Sequence, residues 1–198
     1  AMDRAHEAPW PDAADPVLVA ISPGGHDAMI AQADEALRRG VPYLFDPGQA
    51  VPLFEGDELR ELALHAAYAA FSDYEAAMIT EKTGLTPEDL ARAGVTVFHT
   101  HGSRGSTVRV AGDAHAWSVP AAPLQLPPGA APDPVGAGDA YRGGLLWALA
   151  RETDPVESAR TASVVGAMKV ESRGTQDYAL SEPLLRERLG SLPEARRL

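Results

Sequence analysis

Val17-Leu18-Val19-Ala20-Ile21 is a short apolar run closed by Ser22-Pro23-Gly24-Gly25, and beyond it Met29, Ile30, Ala33 and Leu37 follow at helical spacing as far as Gly40. Five apolar residues bounded by turn formers read as a buried strand, and the spacing after them reads as an amphipathic helix over 26–39 with Gly40 at its C-cap. Val41-Pro42-Tyr43-Leu44-Phe45-Asp46 then gives a second buried strand that stops at Pro47-Gly48. The unit is βαβ.

The same alternation continues outward from it. A helix is expected over 56–65, a strand over 67–71 and a helix over 74–82. Thr86-Pro87-Glu88-Asp89 offers an N-cap with proline at the first helical position, and Val95-Thr96-Val97-Phe98-His99-Thr100 is another β-branched strand. Strands alternating steadily with helices favour a parallel sheet covered on both faces, so the fold class expected is α/β, a mostly parallel three-layer α/β/α arrangement. After Gly102 the texture changes. Residues 106–110 and 114–119 read as a hairpin turning at Gly112-Asp113, and residues 120–134 are proline-rich and have no assignable period. Gly136-Ala137-Gly138-Asp139 then opens a long helix, a second runs over 155–170, and a last short one lies over 182–189.

The composition sets limits. With 198 residues and 45% hydrophobic content, the chain suits one globular domain, read here as 17–198 behind a tail or truncation junction at 1–16. A formal charge of −11 argues against a nucleic-acid partner, because such binding rests on Lys and Arg neutralising phosphates. The absence of cysteine excludes disulfides and thiolate metal sites. Apolar runs are short and there is no signal-peptide pattern, so a cytoplasmic protein without a membrane partner is expected.

In open parallel sheets ligands lie beyond the carboxyl ends of the strands, so the turns there carry the candidate chemistry. Four stand out: Asp46-Pro47-Gly48, Ser72-Asp73-Tyr74-Glu75, Thr100-His101-Gly102-Ser103-Arg104-Gly105 and Gly136-Ala137-Gly138-Asp139. Small residues at the start of a helix let backbone N–H groups approach a phosphate, and the helix dipole favours its charge. Asp139 would then stand where it can accept the proton of an attacking hydroxyl. A glycine turn followed by aspartate can equally do no more than start a helix. Neither a Gly-x-x-x-x-Gly-Lys-Ser/Thr loop nor a Gly-x-Gly-x-x-Gly fingerprint is present.

Taken in order, these turns resemble those of the ribokinase-like, or PfkB-type, sugar and nucleoside kinases. The segment from Asp133 through Pro134-Val135-Gly136-Ala137-Gly138-Asp139-Ala140 to Gly144 is similar to that family's C-terminal signature. Ser72-Asp73-Tyr74-Glu75 is similar to its Asn-x-x-Glu motif, and the turn from Thr100 to Gly105 to its Thr-x-Gly-x-x-Gly turn. Residues 159–176 resemble the helix and loop beside the adenine. The wording is nearest to bacterial adenosine kinase-like members.

The resemblance implies an ATP-dependent phosphotransferase acting on a hydroxyl of a nucleoside or sugar. Asp139 would be the base, and Gly136, Ala137 and Gly138 the anion hole. Ser72, Thr100, Gly102, Ser103, Gly105 and Gly174 would line the nucleotide. Glu75 would act through water on Mg²⁺, and Asp133, with loop carbonyls near Gly174, would be the place for a monovalent cation such as K⁺. Ser72 and Val135 depart from the family's usual Asn and Thr. Family members are also longer, with an N-terminal portion that binds the acceptor, so the resemblance further implies an oligomer or a missing partner segment. Two alternatives stand beside this reading: a truncated homologue serving as a nucleotide-binding or assembly module, and a metal-dependent hydrolase using His99 and His101 placed on one strand face.

Overall fold

Helix α1 (His26–Arg39) ends where Gly40 turns into the left-handed region, at φ 67° and ψ 25°, and its N–H caps the carbonyls of Ala36 and Leu37. That stop returns the chain to the sheet: Val41 N–H donates to Ala36 O, and β2 (Tyr43–Phe45) lies parallel to β1 (Val19–Ile21) with Ala20 opposite Leu44. The computed structural model describes Trp10 and residues 16–198. The expected N-terminal tail lies otherwise outside the described residues.

The described chain forms two compact units, and α1, β1 and β2 belong to the first, which runs to Thr100 and takes in Arg109–His115. Two more βα steps complete its parallel strands. After α2 (Gly56–Leu64), β3 (Tyr68–Ser72) pairs with β2. After α3 (Asp73–Thr83) and α4 (Pro87–Arg92), β4 (Thr96–Thr100) pairs with β3 along its full length, from Tyr68 opposite Thr96 to Ser72 opposite Thr100. Each expected strand and helix of this unit is present. The core is built from the inward strand residues Tyr43, Phe45, Phe71 and Val97 with Leu59 and Ile79 from the helices, all at most 2% exposed. Phe45 and Phe71 meet edge to face, with ring centroids 6.5 Å apart, a favourable aromatic geometry. The Tyr43 hydroxyl, buried among them, donates to Leu62 O at 2.7 Å.

The second unit comprises His101–Val108 and Ala116–Leu198. Within it β5 (Ser106–Arg109, its last residue grouped with the first unit) neighbours β6 (Ala116–Val119), as the hairpin spacing predicts. The two-residue β7 (Arg196–Arg197) runs antiparallel to β6. Helices α5 (Ala137–Leu149), α6 (Pro155–Val170) and α7 (Glu182–Ser191) supply the remainder. Asp154 caps α6 by accepting from Val156 and Glu157 N–H, with Pro155 at its first turn. Gly144 is what lets α5 approach α6, since a Cβ there would lie 2.9 Å from Val165 Cγ2 and 3.0 Å from Ala162 Cα. Among the described residues no helix is long and apolar enough to cross a membrane.

Candidate active site at the start of helix α5

The glycine turn begins with a backbone reversal. Gly136 is the N-cap of α5 at φ 80°, a region that L side chains rarely adopt, and a Cβ there would lie 3.1 Å from Thr175 Cγ2. Glycine thus meets both a conformational and a spatial requirement. The helix that follows directs its first-turn N–H groups outward, where it offers no acceptor of its own. Ala137 differs from expectation in part, since its N–H donates to Pro134 O at 3.1 Å. Gly138 and Asp139 occupy the next two positions, both exposed. A Cβ on Gly138 would lie 2.6 Å from Arg142 Nη1, so a guanidinium sits over the turn beside the positive end of the helix dipole.

Asp133 fastens this turn to the loop after α6. Its Oδ1 accepts from Val135 N–H at 3.1 Å, its Oδ2 from Gly174 N–H at 3.0 Å, and its own N–H donates to Val170 O at 2.8 Å. The bonds from Val135 and Gly174 hold its carboxyl below the usual aspartate value, with the charges of Lys169 and Arg173 adding to them. Lys169 is fully buried, and its ammonium donates to Asp133 O at 2.7 Å and Ser172 O at 3.3 Å, 3.8 Å from Asp133 Oδ1. These are the carboxylate and loop carbonyls that the family resemblance offers to a monovalent cation. A lysine already holds them, so they do not fit K⁺.

Four further expected residues lie in the same unit. Gly102, Ser103 and Gly105 form a tight turn after His101, in which Gly105 N–H donates to Gly102 O at 3.1 Å and His101 N–H to Gly105 O at 2.8 Å. Gly105 has φ 94°, and a Cβ on it would fall 2.1 Å from Val119 O, so no other residue fits. Gly174, at φ 78°, belongs to the loop that Asp133 holds. His101 is not on the strand: β4 ends at Thr100, and the imidazole bonds Thr107 Oγ1 at 2.8 Å. What differs from expectation is the strand placement alone, since His101 lies one residue beyond the end of β4.

Ser72, Glu75 and Thr100 belong to the first unit. Ser72 and Thr100 are register partners at the carboxyl ends of β3 and β4. Ser72 caps α3, its Oγ accepting from Glu75 N–H at 3.3 Å while Glu75 Oε2 accepts from Ser72 N–H at 2.6 Å. This capping box explains why serine serves locally in place of asparagine. A carboxylate offers about four lone-pair sites, so a capping Glu75 remains compatible with a Mg²⁺-bound water. His99 Nε2 lies 3.0 Å from Asp73 Oδ1.

Along α5 runs a cavity of about 620 Å³ that begins at Asp139 and is lined by Gly143, Trp147, Gln176 and Tyr178 among others. That volume lies in the range of small-molecule sites. Sequence reasoning gave no role to Lys169, Arg142 or Thr175, because their part depends on which loop meets which helix. Tyr141 belongs with them. Burial pushes its phenol up to about 12, opposed by its hydrogen bond to Ser106 Oγ at 3.1 Å, which ties α5 to the start of β5.

Comparison with known proteins sets this geometry in context. A profile described as pfkB family carbohydrate kinase matches residues 2–182. A nucleoside kinase of Thermoplasma acidophilum is 31% identical over 145 residues, covering 73% of this chain and 46% of that protein. A nucleoside kinase of Burkholderia thailandensis, solved in complex with inosine, superposes with a TM-score of 0.84 at 34% identity over 96% of this chain and 60% of its own. The nucleoside kinase of Methanocaldococcus jannaschii, described as an archaeal member of the ribokinase family, shares the fold with a TM-score of 0.83 at 24% identity, covering 95% of this chain and 60% of that one. The chain thus has the ribokinase-like α/β fold with a mostly parallel open sheet, and spans about half the length of the curated relatives it matches.

Proposed function

This chain belongs to the pfkB family of carbohydrate kinases, and we propose that it carries the phosphoryl-transfer apparatus of an ATP-dependent kinase whose acceptor is a primary hydroxyl of a nucleoside. The observation that carries the proposal is the left-handed Gly136 turn opening α5 with Asp139 in the first helical turn. The nucleoside acceptor is favoured by relatives named nucleoside kinases and by the neighbour solved with ADP-inosine.

In the proposed reaction Asp139 accepts the hydroxyl proton as the acceptor oxygen attacks the γ-phosphorus, and ADP leaves with the electrons of the broken P–O bond. The first-turn N–H groups and Arg142 offset charge on the transferring phosphoryl group. Its transition state is loose, so positioning and charge neutralisation carry most of the catalysis and a weakly basic carboxylate suffices. Mg²⁺, reached from Glu75 through water, would neutralise the nucleotide phosphates. Gly102, Ser103, Gly105 and Gly174 are proposed to line the nucleotide, and Ser72 and Thr100 are separate candidates in the first unit.

The test is transfer of phosphate from ATP to inosine or adenosine. Asp139→Asn should lower kcat by about 10²- to 10⁴-fold with nucleotide affinity and melting temperature nearly unchanged, because Asp139 is exposed. A variant as active as the parent would remove Asp139 from the mechanism. A second reading is a nucleotide-binding module without turnover. Mg²⁺-dependent ATP binding with no transfer to any nucleoside would select it.

A further inference from the structure

Lys169 is a long cationic side chain with no exposed surface. Lysine is almost never buried to this degree unless its donors are matched. Here two backbone carbonyls accept from it, Asp133 O at 2.7 Å and Ser172 O at 3.3 Å, and Asp133 Oδ1 stands 3.8 Å away. One carbonyl comes from the loop before the glycine turn and the other from the loop after α6. A single positive charge set among oxygens from two loops is what a bound alkali cation provides. A second cation could not share those carbonyls, since two like charges a few ångströms apart repel strongly away from bulk water.

We infer that the Lys169 ammonium is a tethered replacement for a monovalent cation, so that this chain holds its phosphate-binding turn without K⁺. Lys169 is a positioning residue: it anchors Asp133, Asp133 holds Val135 and Gly174 through its carboxylate, and Pro134 O receives the Ala137 N–H at the start of α5. The importance of that turn to catalysis rests on the proposed kinase reading. The cation replacement does not, and its readout needs no nucleotide.

The test compares melting temperatures of the chain in KCl, NaCl and tetramethylammonium chloride at equal ionic strength, without nucleotide. The parent chain should melt at one temperature in all three. A rise of about 2 °C or more specific to KCl, the signature of a bound cation, would overturn the inference. Lys169→Ala should melt several degrees lower in tetramethylammonium chloride and recover part of the loss in KCl, a salt-specific rescue that loss of packing alone would not give. Loss of stability with no recovery in KCl would also count against it. If that variant does not fold in any of the salts, Lys169→Ser, which returns one oxygen ligand, takes its place under the same two outcomes. Failure of phosphate transfer in the parent chain would leave these results untouched.

Discussion

Replacing Gly136 by alanine should cost about 1–2 kcal/mol of folding stability from the positive φ alone, and more from the approach of Cβ to Thr175 at 3.1 Å. Gly112→Ala is the matched control, since Gly112 has φ 76° with nothing within 4 Å of its Cβ position. Urea denaturation of the two variants separates contact from strain: Gly136→Ala should be the less stable, and should also weaken phosphate binding. The glycines and Asp139 were legible as candidates because a turn built to approach a phosphate would need small residues in a fixed order. Lys169 was not. A lysine near the end of a helix ordinarily reads as a solvated, dipole-favourable residue, and only the return of the loop at Ser172 over Asp133 buries it. Glu75 lies between these cases, a site candidate by its motif that the structure finds closing a capping box with Ser72.

At the scale of elements, α1 and α6 have the boundaries that spacing, proline and glycine predict, because caps are local chemistry. The proline-rich segment 120–134 had no readable period, and the structure shows why. Its order comes from distant side chains: Arg188 donates to Pro123 O at 3.0 Å and makes a two-armed bond to Glu171 at 2.6 and 2.7 Å, while Gln125 N–H donates to Glu171 Oε1 at 2.7 Å. Burial raises the Glu171 carboxyl, but the bonds from Arg188 and Gln125 outweigh it, and the net shift is downward. Arg188→Met should therefore cost about 3 kcal/mol, the usual loss when one partner of a mostly buried ion pair is removed. Limited proteolysis should then find new cuts within 120–134, and protection equal to the parent's would refute the clamp. Among the described residues the 3₁₀ turns Gly48–Leu53 and Gly102–Arg104, and β7, escaped the sequence reading because none has an apolar period.

For the whole molecule, alternating strands and helices made the α/β class legible, whereas the division into two units was not, since it groups residues 109–115 with a segment that ends at Thr100. Titration gives the molecule a stability profile. His26 is raised by its hydrogen bonds to Glu58 and Asp27, so its contribution is complete below about pH 6.5 and fades as pH rises through its folded value. Glu58, lowered by His26, and Asp133, lowered by the N–H groups of Val135 and Gly174, contribute above about pH 4 and lose that contribution as pH falls through their folded values. Melting temperature should therefore peak between about pH 4.5 and 6.5, with a shallow decline above, because the His26–Glu58 pair is one-third exposed or more. His26→Gln should flatten that upper decline, and an unchanged slope would assign it to general repulsion in a chain of charge −11. The molecule also carries three tryptophans, and they differ in what surrounds them. Trp10 packs on the first core with Arg39 5.2 Å from its ring, Trp117 lies on β6, and Trp147 is 37% exposed on the cavity wall with Arg151 4.1 Å from its ring. An indole about one-third in water beside a guanidinium changes its emission when a solute displaces that water. The cavity that begins at Asp139 is thus fitted with its own optical reporter, and filling it can be followed in unlabelled protein by a blue shift that Trp147→Phe abolishes.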